Sequence, residues 1–239
     1  MKNAIKRAFR SLGSKSRKDP SGTENIPDAA LYRPLFSPWF SKEFEHYYDR
    51  AARSSLVSRD RCYVLYNLGR QAAHVQGDFW ECGVYKGGTA AMLAALLRDI
   101  VPEKRLHLFD TFEGMPETDA QKDLHKQGDF ADTSLNAVKA YVGGDERVVF
   151  HPGFIPVTFA GLDEEHIAFA HIDVDIYKSI MDCLDFIWPR LSSGGVIVFD
   201  DYGFPTCPGA RQAVDTFFAP KQEVPLCLGT GQAIVSKLW

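Results

Sequence analysis

The sequence predicts an α/β protein with a doubly wound, mostly parallel sheet of seven strands. From residue 78 onward, short apolar runs alternate with stretches of helical periodicity, the pattern of strand–helix–strand units in a parallel sheet. The last two runs are joined only by "GTGQ", which leaves no room for a crossover helix, so they should pair as an antiparallel hairpin. Acidic residues follow several of the runs, at the sheet edge where ligands bind in such folds.

The predicted strands are short runs of apolar residues bounded by glycine or polar residues, and the helices between them repeat apolar residues at helical spacing. The predicted strands cover residues 78–83, 105–110, 147–153, 167–173, 194–202, 224–229 and 232–238. The predicted helices cover residues 88–99, 133–142, 176–190 and 208–218. Together these elements form a predicted domain at residues 77–239.

Two further helical segments precede the sheet. "SKEFEHYYDRAARSS" and "RDRCYVLYNLGRQAAHV" both place apolar residues three and four positions apart. We expect residues 28–76 to form a helical N-terminal cover, or lid, for the sheet domain. This segment is rich in Phe and Tyr, which favours a homodimer.

The first 27 residues differ from the rest of the chain in charge. Residues 1–18 hold seven basic residues and no acid, and "GSKSRKDPSGTENIP" is rich in Gly, Ser and Pro. We therefore expect a basic, flexible tail and linker at residues 1–27, and a weak contact of this tail with a membrane surface or a partner stays open. The remaining chain holds 20 basic and 31 acidic residues, which argues against nucleic acid as the main ligand.

Hydropathy and cysteine usage predict a cytoplasmic protein. No apolar run approaches the ~18 residues that a membrane span needs, and the basic N-terminus has no apolar segment typical of a secretion signal. The odd number of cysteines and the absence of a CxxC pair indicate reduced thiols. The five cysteines are Cys62, Cys82, Cys183, Cys207 and Cys227. Cys82 and Cys183 lie in apolar runs and are expected in the core.

A glycine-rich turn follows the first strand in "ECGVYKGGT". Its spacing is not the G-x-G-x-x-G of dinucleotide binders, and Glu81 before the turn would repel a pyrophosphate but suits a ligand with an amine or a sulfonium. Asp110 ends the second strand, where an acid commonly accepts the ribose hydroxyls. These features together favour S-adenosylmethionine over an ordinary strand–turn–helix connection.

A second segment, "GDFADTS", precedes the predicted helix at residues 133–142. Asp129 and Phe130 are candidates for the adenine amine and ring. The alternative is that Asp132 or Thr133 caps the helix. With this segment, the predicted cofactor residues are Glu81, Gly83, Gly87, Gly88, Thr89, Asp110, Asp129 and Phe130.

Four acids follow the fourth and fifth strands in "HIDVDIYKS" and "FDDYG". Because neighbouring parallel strands end at one edge, Asp173, Asp200 and Asp201 can converge on one cation, and three carboxylates form the hard oxygen shell that Mg²⁺ or Mn²⁺ prefers. Asp175 lies just past the strand and could face the substrate. The alternative is helix capping by Asp173 or Asp175 with Asp200 and Asp201 in exposed turns. His171 on the same strand is expected in the core or behind the metal ligands.

Several motifs resemble the macrocin O-methyltransferase family: "FWECGVYKGGT", "LFDTFEGMP", "HIDVDIYKS", "RLSSGGVIVFDDYG" and "CPGARQAVD". The resemblance covers roughly residues 77–237. It implies a Rossmann-like class I S-adenosylmethionine methyltransferase fold and Mg²⁺-dependent methylation of hydroxyls, typically on sugars. By motif, Asp173, Asp200 and Asp201 would be the metal ligands, Asp175 the general base, and Glu81, Gly83 and Asp110 cofactor contacts. The first ~75 residues are less similar, and in the family this region helps to build the substrate lid.

The sequence therefore predicts an S-adenosylmethionine- and Mg²⁺-dependent O-methyltransferase acting on a hydroxyl of a sugar or glycosylated small molecule. A cation would compensate the crowded acids and stabilise the alkoxide that develops on the acceptor, and Asp175 would take the proton. Two alternatives stay open: a catechol or phenol O-methyltransferase, for which "FSPWF" at residues 36–40 would supply aromatic residues, and a non-methylating nucleoside-binding protein.

Overall fold

A computed structural model describes residues 37–238 of the chain. The α-helices of this part are α1 (Lys42–Ala51), α2 (Arg59–Ala72), α3 (Gly88–Ile100), α4 (Leu135–Val142), α5 (Tyr177–Arg190) and α6 (Pro208–Phe218). The strands are β1 (Asp78–Cys82), β2 (Leu106–Asp110), β3 (Val148–Pro152), β4 (Ile167–Ile172), β5 (Leu191–Phe199), β6 (Leu226–Cys227) and β7 (Ala233–Ser236). Short 3₁₀ helices cover Pro38–Phe40 and Val157–Phe159.

The seven strands form one sheet in the order β3-β2-β1-β4-β5-β7-β6. Strands β1 to β5 pair in parallel, whereas β7 is antiparallel to both β5 and β6. The predicted doubly wound sheet with an antiparallel C-terminal hairpin is confirmed. The strand order reverses between β1 and β4, so their carboxyl ends form the switch point where such sheets bind ligands.

The predicted element bounds hold within a few residues except in β5. This strand begins at Leu191, directly after α5, and not at residue 194. The added start of the strand pairs with β4, where Leu191 is the partner of Ile167. The polar residues that follow are held by backbone hydrogen bonds from Gly194 N to Lys237 O (2.7 Å) and from Lys237 N to Gly195 O (2.9 Å). β5 ends at Phe199, so Asp200 and Asp201 lie in the turn that follows.

Each face of the sheet is covered by helices, so the central strands are buried on both sides. Phe79 and Phe169 face one way, and their rings stack 5.0 Å apart in the core beneath α1, α2 and α3. Trp80 and Ile197 face the other way, into the core beneath α5 and α6. Cys82 and Cys183 lie in that second core, as predicted.

The two N-terminal helices pack against α3, as a cover over one face of the sheet domain. Fully buried Phe44 of α1 lies 5.1 Å from the ring of Tyr63 and 5.3 Å from that of Tyr66, both on α2. These helices and the sheet form one compact unit, Trp39–Trp239. The division into a lid at residues 28–76 and a sheet domain at 77–239 stays a prediction.

The basic tail at residues 1–27 lies outside the described residues, so its predicted role is untested. Among residues 37–238, no helix is both long enough and apolar enough to cross a bilayer.

Gly83 permits the closest approach between two segments at the edge of the sheet. Its φ of +89° is left-handed, and a Cβ at this position would overlap the backbone carbonyl of Asp173. Gly128 has nearly the same φ, +88°, but nothing lies within 4 Å of the place a Cβ would take. Substitutions at Gly83 and Gly128 therefore distinguish the cost of a left-handed backbone from the cost of steric overlap.

We expect Gly128→Ala to lower the free energy of unfolding by about 1–2 kcal/mol, the cost of a left-handed conformation for an L-residue. Gly83→Ala should cost at least about 2 kcal/mol more, because β1 or β4 must shift to relieve the overlap. Urea denaturation of both variants measures the difference. Equal losses would show that the contact between Gly83 and Asp173 is not tight.

Candidate functional site

A cavity of about 330 Å³ opens at the carboxyl ends of the parallel strands. Gly83, Asp110, Asp173 and Asp201 all line it. Residues 54–57 of the N-terminal cover form part of its wall. The sheet therefore brings the predicted cofactor turn and the predicted metal ligands into one cavity, as their positions after β1, β2, β4 and β5 suggested.

The glycine turn lets neighbouring segments pack closely around this cavity. Gly83 N continues the strand ladder by donating to Phe109 O (2.9 Å). A Cβ on Gly88 would lie 2.6 Å from both the backbone N and the Cβ of Ser55, so this glycine admits the loop of the N-terminal cover. Gly87 has a left-handed φ of +80° at the start of α3 and packs against Val138; it does not line the cavity, whereas Gly88 and Thr89 do.

Asp110 organises the glycine turn. Its Oδ2 accepts hydrogen bonds from the backbone N–H groups of Val84 (2.7 Å) and Tyr85 (2.9 Å), and its Oδ1 accepts one from Phe112 N (2.7 Å). Since each carboxylate oxygen has two lone pairs, Asp110 still has acceptor capacity toward the cavity that it lines.

Glu81 lies beneath the cavity and does not form part of its surface. The side chain is fully buried, and its Oε1 lies 2.9 Å from Nδ1 of His171, its partner residue on β4. Its Oε2 is buried and has no hydrogen-bond partner within the described structure. The predicted contact between Glu81 and the cofactor amine therefore has only this second oxygen available to it.

The "GDFADTS" segment fits neither the adenine-binding nor the helix-capping interpretation completely. Phe130 lines the cavity, but the Asp129 carboxylate turns to Nδ1 of His125 (3.1 Å) and to the backbone N of Lys126 (3.0 Å). The capping alternative is wrong, because α4 is capped by Ser134, whose hydroxyl accepts from Ala137 N (3.3 Å). The two residues predicted as caps bind the glycine turn instead. Asp132 accepts a hydrogen bond from the Tyr85 hydroxyl, and Thr133 donates one to the Tyr85 carbonyl.

The predicted metal ligands form an acid cluster, which we define as Asp173, Asp200 and Asp201. Carboxylate oxygens of these three residues all lie within 4.8 Å of one another. Asp200 is fully buried and Asp201 is 7 % exposed, so the alternative of exposed turn acids is wrong. Helix capping by Asp173 or Asp175 is also wrong, because the first N–H group of α5, Tyr177 N, donates to Asp123 Oδ1 (2.9 Å).

His171 and Arg61 partly compensate the acid cluster. Burial alone would lower the pKa of His171, but hydrogen bonds with Asp200 and Glu81 raise it well above its usual value, which favours the charged imidazole. The Arg61 guanidinium, from the first turn of α2, also contacts Asp200. Burial would raise the pKa of Asp200, yet its contacts with His171, Arg61 and Gln232 hold it below the usual range.

The other two members of the cluster lack such partners. Burial, followed by repulsion from Asp200 and Asp201, raises the pKa of Asp173 well above its usual value. Burial and the charge of Asp200 raise the pKa of Asp201 to about 6. A dication between these oxygens would remove both penalties, and the all-oxygen donor set suits Mg²⁺.

Asp175 lies beside the cluster in a strained conformation. Its φ of +57° is left-handed, a hydrogen bond from Ile176 N to Val174 O (2.6 Å) closes a tight turn around it, and its backbone N donates to Asp201 Oδ2 (3.1 Å). Burial and the charge of Asp201 raise the pKa of its side chain well above the usual value. Strain of this kind is typical of functional sites.

Sequence reasoning missed three residues of this site: Arg61, His125 and Cys207, all of which line the cavity. Arg61 stands 139 residues before its partner Asp200, and no periodicity connects the two. His125 lies in an irregular loop. For Cys207, the only available signal in the sequence was its position directly before Pro208, where a helix begins at the cavity.

Comparisons with known proteins give a family and a fold. The family model described as "TylF: Macrocin-O-methyltransferase" matches residues 52–226. The 8-demethyl-8-(2,3-dimethoxy-alpha-L-rhamnosyl)-tetracenomycin-C 4'-O-methyltransferase of Streptomyces olivaceus is 35% identical over 150 residues, 57% of this chain and 57% of that protein. The mycinamicin III 3''-O-methyltransferase of Micromonospora griseorubida is 33% identical over 157 residues, 60% of this chain and 61% of that protein.

The chain thus spans about 57% to 61% of the length of these two curated relatives. Among solved structures, the O-methyltransferase NovP superposes with a TM-score of 0.70 at 23% identity, covering 82% of this chain and 88% of that one. This likeness shows the fold.

The pKa of Asp201 gives a test of the acid cluster by pH. Because its pKa is raised from 3.8 to about 6, the folded chain holds this proton more tightly than the unfolded chain does. The resulting stabilisation is complete below pH 3.8 and is lost as the pH rises through about 6. A bound dication should replace it above that range.

We therefore expect Mg²⁺ to raise the melting temperature more at about pH 8 than at about pH 5, where protons compete for the carboxylates. Differential scanning calorimetry with and without MgCl₂ measures this, with NaCl of equal ionic strength as the control. The same Mg²⁺ shift at both pH values would contradict the assignment.

Proposed function

The chain belongs to the macrocin-O-methyltransferase (TylF) family, and we propose on that premise that it transfers the methyl group of S-adenosylmethionine to a hydroxyl of a sugar or glycosylated small molecule, with Mg²⁺ as cofactor. The observation that carries the proposal is that one cavity joins the glycine turn and Asp110 to the acid cluster. The rhamnosyl acceptor in the name of the Streptomyces olivaceus relative supports a sugar as substrate.

The cavity has features that fit S-adenosylmethionine. Gly83, Asp110 and Phe130 all line it, and Oδ1 of Asp110, which accepts a hydrogen bond from Phe112 N, keeps a lone pair for a ribose hydroxyl. The unpartnered Oε2 of Glu81 beneath the turn is an acceptor for the amino group, directly or through water. When bound, this cofactor supplies an electrophilic methyl group.

The acid cluster fits a hard divalent cation. Asp173 and Asp201 need a counter-charge, and Asp200 is already oriented by His171 and Gln232 (2.8 Å). Mg²⁺, or Mn²⁺ in its place, would be held by these three carboxylates. Such an ion supplies Lewis acidity that lowers the pKa of a nearby hydroxyl.

Asp175 is the proposed general base. Burial and the charge of Asp201 raise its pKa, which makes the carboxylate a stronger base, and its left-handed backbone fixes the residue beside the acid cluster. Asp175 would take the proton of the acceptor hydroxyl as the oxygen attacks the methyl group. Residues 54–57 and Arg61 would exclude water from this reaction.

The sugar acceptor is preferred to the two alternatives. A phenolic acceptor was suggested by "FSPWF", but none of residues 37–40 lines the cavity; Phe40 is exposed and Trp39 packs against the core. A non-methylating dinucleotide-binding protein is disfavoured by the spacing of the glycine turn and by the acid cluster opposite it.

We extend the proposal to the setting of the enzyme. All five cysteines are free thiols, which supports a reducing compartment such as the cytoplasm. Residues 54–57, which line the cavity, support a lid function for residues 28–76, and the exposed Phe40 ring supports a homodimer. Light scattering in solution tests the oligomeric state.

We expect Asp110→Ala to weaken binding of S-adenosylhomocysteine by about 1.5–3 kcal/mol, the range for hydrogen bonds to a charged group. Asp132→Ala is the matched control, since Asp132 also contacts the glycine turn but does not line the cavity. If titration calorimetry shows the same loss of affinity for both variants, Asp110 stabilises the glycine turn and does not bind the cofactor.

Asparagine variants should separate the base from the metal ligands. Asp175→Asn should lower turnover by roughly 10² to 10⁴, the contribution of a positioned base, and added Mg²⁺ should not restore it. Asp173→Asn keeps an oxygen ligand but loses a charge, so its activity should recover partly at high Mg²⁺. Asp163→Asn is the control, because Asp163 precedes β4 at the opposite edge of the sheet.

The measurement is methyl transfer from labelled S-adenosylmethionine to a panel of nucleotide sugars and glycosides, before and after treatment with EDTA. Full activity of a sample shown by elemental analysis to be metal-free would remove Mg²⁺ from the proposal. Recovery of Asp175→Asn at high Mg²⁺ would make Asp175 a ligand and not the base.

A further inference from the structure

We propose that His125, Asp175 and Cys207 form a second metal site, selective for Zn²⁺ or a similar borderline cation and distinct from the acid cluster. The three side chains come from different segments: the loop before α4, the turn after β4 and the residue before α6. One ligand atom of each lies close to the other two, and all three residues line the cavity.

The distances among the three ligand atoms match a tetrahedral zinc site. Nε2 of His125 lies 3.7 Å from Oδ1 of Asp175 and 3.7 Å from Sγ of Cys207, and Sγ lies 3.5 Å from Oδ1. Zinc–nitrogen, zinc–oxygen and zinc–sulfur bonds of ordinary length at tetrahedral angles place such atoms about 3.3–3.6 Å apart. The observed triangle therefore needs only small adjustments to bind the ion.

Hydrogen bonding accounts less well for this triangle. An N···O separation of 3.7 Å between His125 and Asp175 exceeds the range of a hydrogen bond. The Cys207 thiol has one proton, which it can donate either to Asp175 Oδ1 (3.5 Å) or to His125 Nε2 (3.7 Å), but not to both at once. A cation shared by all three atoms satisfies each of them.

Asp129 orients His125 as a zinc-binding histidine is commonly oriented. Its Oδ2 lies 3.1 Å from Nδ1 of His125 and also accepts from Lys126 N (3.0 Å). A proton on Nδ1 completes that contact, and we assign this tautomer from it. The lone pair of Nε2 then points at Asp175 and Cys207. Carboxylate–histidine–zinc arrangements of this kind fix the ring and strengthen the ligand.

The other two ligands are also held in place. The Asp175 backbone donates to Asp201 Oδ2 (3.1 Å) within its closed turn. The Cys207 backbone donates to Phe204 O (3.0 Å), and the helix that starts at Pro208 follows it directly. Little reorganisation is thus required on binding.

The chemical types of the three ligand atoms determine which metal ion the site prefers. One imidazole nitrogen, one thiolate and one carboxylate favour Zn²⁺, whereas the three carboxylates of the acid cluster favour Mg²⁺. With three protein ligands, the fourth position faces the cavity. If Asp175 is the base, which rests on the proposed function, zinc would block methyl transfer by occupying that carboxylate.

The test uses cobalt(II) as a spectroscopic probe and does not depend on activity. The full chain is titrated with CoCl₂ in the presence of excess MgCl₂, which keeps the acid cluster filled. We expect one equivalent of cobalt to give the visible bands of four-coordinate cobalt and a near-ultraviolet thiolate-to-cobalt band. Zn²⁺ added afterwards should remove both signals by displacement.

Variants identify the ligands. Cys207→Ser should abolish the thiolate band, and His125→Ala should weaken cobalt binding by about 10- to 100-fold or more. Cys227→Ser is the matched control and should keep the full spectrum, because Cys227 is exposed and lies outside the cavity. Circular dichroism of each variant establishes that it is folded.

The proposal is overturned if the wild-type chain gives no thiolate band, if the band persists in folded Cys207→Ser, or if Cys227→Ser loses it. Each of these results leaves the proposed methyl transfer untouched. Conversely, the cobalt spectrum is expected even if no acceptor is ever methylated.

Discussion

Carboxylates buried at the ends of β4 and β5 are the constraint on which the rest of this site depends. Asp200 and Asp201 are removed from water, and Asp173 adjoins them. Burying even one ionised carboxylate is costly unless it is paired and hydrogen-bonded. The protein meets this cost for Asp200 with His171 and Arg61, and leaves Asp173 and Asp201 without a cation of their own.

The surrounding elements follow from that arrangement. His171 bridges Asp200 and Glu81, so the metal end and the cofactor end of the cavity share one buried network. Gly83 lets β1 approach the Asp173 carbonyl, and Arg61 ties the N-terminal cover to the same cluster. A change in the charge of the cluster is therefore felt at the cofactor turn and at the cover together. Such networks are stable only when every member is satisfied.

The sequence could predict the sheet, the hairpin and the position of the acids, because these depend on local periodicity and on the rule that parallel strands end at one edge. It could not predict the start of β5 at Leu191, since that start depends on the pairing of Leu191 with Ile167 of β4 and the next residues are polar. It left Arg61, His125 and Cys207 unassigned, because Arg61 lies far along the chain from Asp200 and His125 far from Cys207. The orientation of Glu81 into the protein also depended on its neighbour His171 across the β1–β4 pair.

The most direct test of this account is the number of protons released when Mg²⁺ binds. Titration calorimetry at about pH 6, repeated in buffers of different ionisation enthalpy, gives that number. If the ion replaces protons held by Asp173 and Asp201, about one proton or more should leave for each ion bound, and fewer should leave at about pH 8 as Asp201 ionises. Mg²⁺ binding without any proton release at about pH 6 would contradict the claim that the ion replaces protons held by Asp173 and Asp201.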